Sequence, residues 1–336
     1  MLKEFQEMVD TFKMATIGIR DTFSVLKKGF ETAGYYANAM KMTLDEYEKR
    51  KKYYEGEYKR KFIELDNELK NRNRYFPRSE FITDFEKNCP SEYFYTVIKK
   101  GEISYRARIY NINEDTEEKT AKYHGFGKSQ SDAPPPKYAS VGRINPKGIS
   151  YLYTASTPET AILEVRPQVG QKVSVATVEV TEEIRLFDFV DTFLLKNMQT
   201  DNIQKYIDEY GWRNCFKAGV ILNTISDEFS TPSDGDDTNY YAPQYISEFI
   251  KNKEHIDGIK FKSSLDCDSY NIVLFDVSEE DRKYKIISSS LLEIEKIEVV
   301  SKERIAEKIR RNTTKRIQKV HSRNRVRNAR KPLRRR

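Results

Sequence analysis

The first 75 residues carry apolar side chains at helical spacing. Between residues 5 and 30 these side chains recur at alternating steps of four and three, which places them along one stripe of a helix of about eight turns. A second helix is predicted to begin at Thr43, whose hydroxyl can cap the backbone while Glu46 reaches back. One face of that helix carries Tyr54, Tyr58, Phe62, Leu65 and Leu69. The pattern predicts an antiparallel helical hairpin that acts as a scaffold or a dimerisation element.

From about residue 90 the spacing changes to that of β-strands. Alternating or β-branched runs predict strands at 104–110, 149–154, 172–180, 184–190, 258–263, 270–275 and 285–289. Helical spacing interrupts the predicted sheet at 158–166, 203–225 and 241–253. Residues 111–140 are polar and include three consecutive prolines, so they predict a long mobile loop over one end of the sheet.

The composition limits the classes of protein that the chain can belong to. Its 336 residues are 33% charged and 38% apolar, which suits one or two globular domains. No run approaches the roughly 18 apolar residues of a membrane span, and the first residues lack a signal-peptide pattern, so we expect a cytoplasmic protein without a membrane partner. Three scattered cysteines and three histidines argue against a disulfide framework, a four-cysteine zinc site and HExxH chemistry.

The positive net charge of +7 comes from the C-terminal end of the chain. Residues 301–336 hold sixteen of the 59 Lys and Arg but only two of the 52 acids, which leaves 43 against 50 in the preceding 300 residues. Such a tail can bind nucleic-acid phosphates, an acidic protein partner or the acidic body of the chain, or remain a solvated disordered tail. It contains no aromatic residue, which weakens a case for base stacking.

Candidate chemistry lies around one short predicted helix. A Gly142 to Gly148 segment leads into a strand, after which Thr157 and Pro158 form a helix start and Glu164 follows within the helix. Glu164 has apolar neighbours, although it can also face solvent or pair with Arg166. GxGxxG, GxxxxGK[ST] and GxSxG motifs are absent, so the sequence gives no support for a Rossmann site, a P-loop or a nucleophile elbow.

Several ordered blocks resemble the RES domain family, which is named for its Arg, Glu and Ser. They are Tyr105-Arg106-Ala107, Gly142-Arg143-Ile144-Asn145-Pro146 with Gly148, Tyr151 to Ala155, Thr160 to Pro167, Tyr241 to Gln244, and Gly258 to Ser264 with Asn271 to Phe275. The resemblance covers about residues 100–290. It implies an α+β fold similar to the ADP-ribosyltransferase toxins and activity on NAD⁺, with NAD⁺ as substrate and no further cofactor.

The resemblance also implies roles for individual residues. Arg106, Tyr153, Glu164 and Ser263 match the family's catalytic set, and Arg143 matches the arginine of the glycine-arginine block. Gln244 belongs to another matching block, and we expect it to contact NAD⁺ together with Arg106, Arg143, Tyr153 and Ser263.

These residue types suit the implied chemistry. A planar guanidinium binds phosphate oxygens in a fork, so Arg106 is the candidate for the NAD⁺ diphosphate. A carboxylate such as Glu164 stabilises the positive charge that develops on the ribose, or orients the attacking water or phosphate. An aromatic face such as that of Tyr153 can stack on the cationic nicotinamide, and the Ser263 hydroxyl can bind the ligand or position Glu164.

Alternatives remain open for each of these residues. Arg108 alternates onto the same strand face as Arg106, and the pair can instead be a surface stripe. Tyr153 can be an ordinary core tyrosine, and the neighbouring Ser264 can take the role of Ser263.

We therefore expect a helical domain at 1–88, a RES domain at 89–298 and a basic tail at 299–336.

The expected function is that of a toxin or defence effector that cleaves the nicotinamide-ribose bond of NAD⁺, with water or phosphate as acceptor. Alternatives are ADP-ribosyl transfer to a protein, and a non-catalytic module that docks on nucleic acid through the tail. Expected partners are an antitoxin or inhibitory protein and, through the N-terminal helices, a second copy. Some RES proteins carry an N-terminal helical region that is similar to HEPN domains. Residues 1–88 contain no histidine, so the RxxxxH ribonuclease chemistry of active HEPN proteins cannot be assigned to them.

Overall fold

The computed structural model describes residues 43–111, 123–190, 201–231, 236–253, 255–263, 265 and 269–296. The helix predicted between residues 5 and 30 and the basic tail lie outside this described part of the chain. The predicted hairpin therefore stays a prediction, and only its second helix can be compared with the structure.

The described N-terminal helices begin where the sequence places capping side chains. Helix α1 (Leu44–Asn71) starts after Thr43, which forms the predicted capping box with Glu46, with a Thr43 N to Glu46 Oε2 distance of 2.8 Å. The predicted apolar face is confirmed, because Tyr58, Phe62, Leu65 and Leu69 are buried. Helix α2 (Glu80–Asn88), which starts after the N-cap Ser79, was not predicted.

In the described part of the chain the sheet contains eight strands, and its presence confirms the α+β fold class. The strands are β1 (Tyr95–Ile98), β2 (Ile103–Ile109), β3 (Leu152–Ala155), β4 (Lys172–Val180), β5 (Ile184–Asp188), β6 (Gly258–Lys262), β7 (Tyr270–Leu274) and β8 (Tyr284–Glu293). Their order is β1-β5-β6-β7-β3-β2-β4-β8, and pairing is antiparallel except between β5 and β6. Seven predicted strands are confirmed within a few residues, whereas β1 was missed.

Four further helices lie among the strands of the described chain. They are α3 (Lys128–Ser131), α4 (Pro158–Glu164), α5 (Asp201–Ser230) and α6 (Tyr241–Lys251). Helix α5 is kinked at Gly211, where φ is 79° and only glycine is unstrained. Helix α4 starts as predicted, because Thr157 accepts a hydrogen bond from the Thr160 amide and Pro158 occupies the first turn.

The largest hydrophobic core joins the N-terminal helices to one face of the sheet. Aromatic side chains of α1 and α2 pack with α5, α6 and strand residues such as Phe187 and Ile259. One example is the edge-to-face contact of Phe85 with Phe187, whose ring centroids lie 5.8 Å apart. Helices α1 and α2 therefore share one hydrophobic core with part of the sheet, while the predicted division at residue 88 stays a prediction.

The described part of the predicted loop over residues 111–140 contains short helices that the sequence did not predict. Residues 123–138, which we call the insertion segment, contain α3 and a short 3-10 helix, Pro136–Tyr138. Phe126 is fully buried and Tyr123 forms a β-bridge with Ser289. The buried aromatic ring outweighs the polar composition of the segment, so the segment packs on the sheet.

Helix α4 lies close to the sheet because the residues between them are small. Ala161 of α4 packs with Ala107, Ala155, Val173 and Val175 of the neighbouring strands. This close packing brings the C-terminal end of α4, where Glu164 lies, next to β2 and β3. No described helix is long and apolar enough to cross a membrane.

Candidate active site

One cavity of about 600 Å³ collects most of the predicted site residues. Arg106, Arg143, Tyr153 and Glu164 all line it, although they come from β2, a loop, β3 and α4. Its other described lining residues include Arg108, Thr154, Tyr240, Phe261 and Asn271. The volume lies within the range of pockets that bind small molecules.

Glu164 is the last residue of α4, and two neutral donors hold its carboxylate. Its Oε1 accepts hydrogen bonds from Asn271 Nδ2 at 2.7 Å and from Ser263 Oγ at 3.1 Å. Ser263 and Asn271 are themselves buried, whereas Glu164 is exposed towards the cavity. The carboxylate is thus fixed from the protein side while its charge faces open space.

The backbone directs the Ser263 hydroxyl towards Glu164. The amide of Leu265 donates to Ser263 Oγ at 3.2 Å, so the hydroxyl can use its own hydrogen for the bond to Glu164. This geometry gives Ser263 a positioning contact with the glutamate. Ser264, the alternative serine, lies outside the described residues.

Arg106 projects from β2 into a partly buried position. Its Nη1 donates to the Tyr153 carbonyl at 3.3 Å, and its Nε is buried without a hydrogen-bond partner in the described part of the chain. Burial lowers the pKa of Arg106 to about 10, and the positive charge of Arg108 adds to the effect. Arg106 therefore remains a cation at neutral pH, in surroundings that supply little compensation for its charge.

Arg143 reaches the same cavity from the loop before β3. Its Nη1 donates to the carbonyl of Phe229 in α5, and its Nε is buried without a partner among the described residues. Burial lowers the pKa of Arg143, and the carboxylate of Glu164 is among the charges that oppose this shift. The Glu164 carboxylate thus favours the charged form of Arg143, which lines the same cavity.

Tyr153 combines a structural contact with a position on the cavity wall. Its hydroxyl donates to Asn145 Oδ1 at 2.7 Å and accepts from the amide of Ile144 at 3.2 Å. Burial raises the pKa of Tyr153, so the hydroxyl stays protonated and keeps this bond at neutral pH. With the hydroxyl engaged, the ring is the part of Tyr153 that remains for a ligand.

The loop that carries Arg143 is built from close contacts. A Cβ on Gly142 would lie 2.3 Å from Asn145 Oδ1 and 2.9 Å from the Tyr153 hydroxyl, so only glycine fits. Gln244 is buried in α6, and its Nε2 donates to the carbonyls of Gly142 at 2.7 Å and Asn145 at 3.0 Å. The structure therefore places Gln244 behind the loop instead of on the cavity, unlike the four residues that line it.

Several cavity residues, among them Asn271 and Tyr240, received no role from the sequence. Asn271 is the second residue of β7 and pairs with Phe261 on β6, and its position near Glu164 follows from strand pairing. Tyr240 ends a short 3-10 helix, Asp237–Tyr240, and also lines the cavity. A polar Asn271 within an otherwise apolar strand was the available signal, whereas nothing in the sequence distinguished Tyr240.

The described residues offer no cluster of three or more His, Cys, Asp or Glu side chains that could hold a metal ion. The arginines and the single carboxylate instead suit an organic ligand that carries both phosphates and a positive centre.

Comparison with known families agrees with the blocks in the sequence. A model of the RES domain matches residues 115–294, which include Arg143, Tyr153, Glu164, Gln244 and Ser263. Arg106 and Arg108 precede the matched range, so their assignment depends on the geometry of the cavity. No curated protein matches the chain. Because the family model covers more than half of the sequence, the chain belongs to the RES domain family.

Proposed function

We propose that this protein consumes NAD⁺ by cleaving the bond between nicotinamide and ribose, as a toxin or defence effector. Membership of the RES family is consistent with a function of this NAD-related kind. The observation that carries the proposal is that the Glu164 carboxylate, fixed by Ser263 and Asn271, faces the same cavity as Arg106 and Arg143.

The two arginines provide the binding part of the mechanism. A dinucleotide carries a diphosphate, and guanidinium groups bind phosphate oxygens through paired charge-assisted hydrogen bonds. Arg106 and Arg143 are partly buried and each has a nitrogen without a partner among the described residues, so an anionic ligand would compensate charges that the protein leaves unbalanced. The Tyr153 ring lies on the wall of the same cavity and can stack on the flat nicotinamide cation.

Glu164 acts in the chemical step of the proposed mechanism. As the C1′–N bond breaks, its electron pair moves to the nicotinamide nitrogen, which becomes neutral, and positive charge develops on the ribose. A carboxylate held in place next to that charge stabilises it without reorganising. Water then adds to C1′ and loses a proton, with Glu164 as the base, so the products are nicotinamide and ADP-ribose. With phosphate as acceptor, the product is phosphorylated ADP-ribose.

Ser263 and Gln244 act in this mechanism as positioning residues. Ser263 orients the carboxylate of Glu164, and Gln244 holds the loop that presents Arg143. This assignment differs from the direct contact with NAD⁺ that we expected from the sequence for both Ser263 and Gln244.

ADP-ribosyl transfer to a protein is the alternative reaction. It uses the same bond cleavage, and only the acceptor differs. An antitoxin or inhibitory protein, a second copy bound through the N-terminal helices, and nucleic acid bound through the basic tail remain proposals for partners.

The test is NAD⁺ consumption by the purified protein, with and without inorganic phosphate, followed by mass spectrometry of the products. Glu164→Gln, which keeps the size of the side chain and removes its charge, is the matched control. We expect loss of NAD⁺ and release of nicotinamide with the wild type only, and the mass of the second product names the acceptor. Equal consumption by both proteins would exclude Glu164 as the catalytic carboxylate, and no consumption by the wild type would contradict hydrolysis and phosphorolysis.

A further inference from the structure

The insertion segment is fastened to the sheet beside the cavity. The Phe126 amide donates to Ser174 Oγ of β4 at 2.9 Å, and Ser289 Oγ of β8 donates to the Phe126 carbonyl at 2.7 Å. The ring of Phe126 is fully buried. Position 126 is thus fixed by its backbone and by its side chain.

A second set of contacts fixes the segment just after α3. Asp132 accepts a hydrogen bond from the Tyr284 hydroxyl at 2.7 Å and forms an ion pair with Arg282. Tyr284 is the first residue of β8, and Arg282 lies two residues before it. The chain on both sides of α3 is therefore attached at β8.

Arg108 of β2 lies between this segment and the cavity. Its guanidinium lies 4.6 Å from the centre of the Phe126 ring, and its Nη1 donates to the carbonyl of Gln130 in α3. Arg108 also lines the cavity. The insertion segment therefore holds the Arg108 side chain in one place at the cavity wall.

Arginines outnumber carboxylates among the described residues that line the cavity. Its described lining residues include three arginines, Arg106, Arg108 and Arg143, but one carboxylate, Glu164. Arg106 and Arg108 are two residues apart on β2, so they project to the same side of the strand. Two partly buried cations on one side of a strand repel each other, and a ligand with more than one negative charge relieves that repulsion.

We propose that Arg108, positioned by Phe126 and Gln130, is a further phosphate-binding residue beside Arg106, and that it makes the cavity select dinucleotides over mononucleotides. The inference rests on the proposed function in taking a nicotinamide nucleotide as the ligand. A dinucleotide presents two linked phosphates, which two neighbouring guanidiniums can bind together. Nicotinamide mononucleotide presents a single phosphate, for which one arginine is enough.

Binding of simple anions tests the inference without any turnover. Inorganic pyrophosphate and inorganic phosphate are titrated calorimetrically, at one ionic strength, into the wild type, Arg108→Gln and Arg60→Gln. Arg60 lies on the exposed side of α1 in an ion pair with Glu64, so its substitution removes the same charge from another place. We expect Arg108→Gln to weaken pyrophosphate binding about tenfold or more, while Arg60→Gln leaves it unchanged.

Two further variants separate binding from folding. Arg108→Lys keeps the positive charge but removes the planar guanidinium group that binds two phosphate oxygens at once. Phe126→Leu keeps Arg108 but removes the aromatic ring against which its guanidinium packs. We expect both to bind pyrophosphate more weakly than the wild type, with thermal unfolding curves that show a folded protein. In steady-state kinetics of nicotinamide release, Arg108→Gln should raise KM for NAD⁺ and leave KM for nicotinamide mononucleotide unchanged.

The outcomes distinguish this inference from the proposed function. Weaker pyrophosphate binding by Arg108→Gln supports the phosphate site even if the wild type does not split NAD⁺. Equal pyrophosphate binding by the wild type and folded Arg108→Gln overturns the inference even if NAD⁺ is split. Absence of pyrophosphate binding to the wild type also overturns it.

Discussion

Asn271 Nδ2 lies 2.7 Å from Glu164 Oε1, although 107 residues separate the two in the chain. Asn271 is on β7 and Glu164 ends α4, so their contact depends on the pairing of β7 with β3 and on the packing of α4 against β3. Together with Ser263, Asn271 fixes one oxygen of the carboxylate. The position of the proposed catalytic group is thus set by tertiary structure.

Loss of this contact should reduce turnover more than binding. We expect Asn271→Ala to lower kcat for NAD⁺ cleavage about 10-fold to 100-fold, because a misplaced carboxylate loses its alignment with the ribose. Pyrophosphate affinity should stay near the wild-type value, since the arginines are untouched. Asn252→Ala removes an exposed asparagine that bonds to the carbonyl of Glu248 at the end of α6, and serves as the control. An unchanged kcat in folded Asn271→Ala would contradict the positioning role.

Ser263→Ala should also lower kcat for NAD⁺ cleavage, but less than Asn271→Ala does. Its hydrogen bond to Glu164 is longer than that of Asn271, at 3.1 Å, and Asn271 continues to hold the same oxygen. We expect kcat to fall about tenfold, with KM for NAD⁺ unchanged. Steady-state kinetics of nicotinamide release measure both constants. A rise in KM with kcat unchanged would show instead that Ser263 binds the ligand.

Gly142→Ala should destabilise the loop that carries Arg143. The new Cβ would lie 2.3 Å from Asn145 Oδ1, so the loop or the Tyr153 hydroxyl must move. We expect a loss of about 1 to 3 kcal/mol in the free energy of unfolding, measured by urea denaturation, together with loss of NAD⁺ cleavage.

Gly56→Ala is the matched control for this substitution. Gly56 lies in α1 with open space around its Cβ position, and alanine is the better helix former. We expect a gain of up to about 1 kcal/mol in the free energy of unfolding, without an effect on NAD⁺ cleavage. Equal effects of the two substitutions would contradict the steric argument for Gly142.

The C-terminal end of α1 supports one wall of the cavity. Lys70 Nζ donates to Asn239 Oδ1 at 2.8 Å, and the Arg74 guanidinium lies 3.7 Å from the centre of the Tyr241 ring. Tyr240, between these two contacts, lines the cavity. We expect Arg74→Ala to raise KM for NAD⁺ severalfold with little change in kcat, because the wall shifts while Glu164 stays in place. Kinetics identical to those of the wild type would show that the wall is stable without the Arg74 contact.

Cys89 and Cys215 should resist alkylation in the native protein. Burial raises the pKa of Cys215 to about 12 and also raises the pKa of Cys89, so at pH 8 thiolate is scarce at both positions. Cys89 lies in the core, with its Sγ 3.8 Å from the carbonyl of Ala218 in α5. We expect iodoacetamide to label both residues only after denaturation, as read by peptide mass spectrometry. Rapid labelling of Cys89 in native protein would show that α2 separates readily from α5.

Local patterns in the sequence predicted the elements that depend on local physics. The capping box of Thr43 and Glu46 fixed the start of α1, and β4 has the predicted bounds Lys172–Val180. Strand β1 and helix α2 were missed because both are short and their apolar residues pack against distant parts of the chain. In the insertion segment, a single buried ring at Phe126 decides the packing, and no periodic pattern marks it.

The candidate site also combines residues that local sequence patterns predicted with contacts that depend on the tertiary structure. Arg143, Tyr153 and Glu164 were predicted from their blocks, and they line one cavity. The hydrogen bonds of Asn271 and Ser263 to Glu164 span 107 and 99 residues, so they follow from strand register, which a single sequence does not specify.

The continuous core between α1, α2 and the sheet affects any attempt to isolate a minimal catalytic fragment. Removal of residues 1–88 would uncover the side of the sheet on which Phe81 and Phe85 now pack, and a large apolar surface of this kind promotes aggregation. Loss of NAD⁺ cleavage in a shortened chain would therefore be expected from loss of its folded state. Point substitutions on the exposed side of α1, which leave the core intact, are the way to learn whether the N-terminal helices control the enzyme.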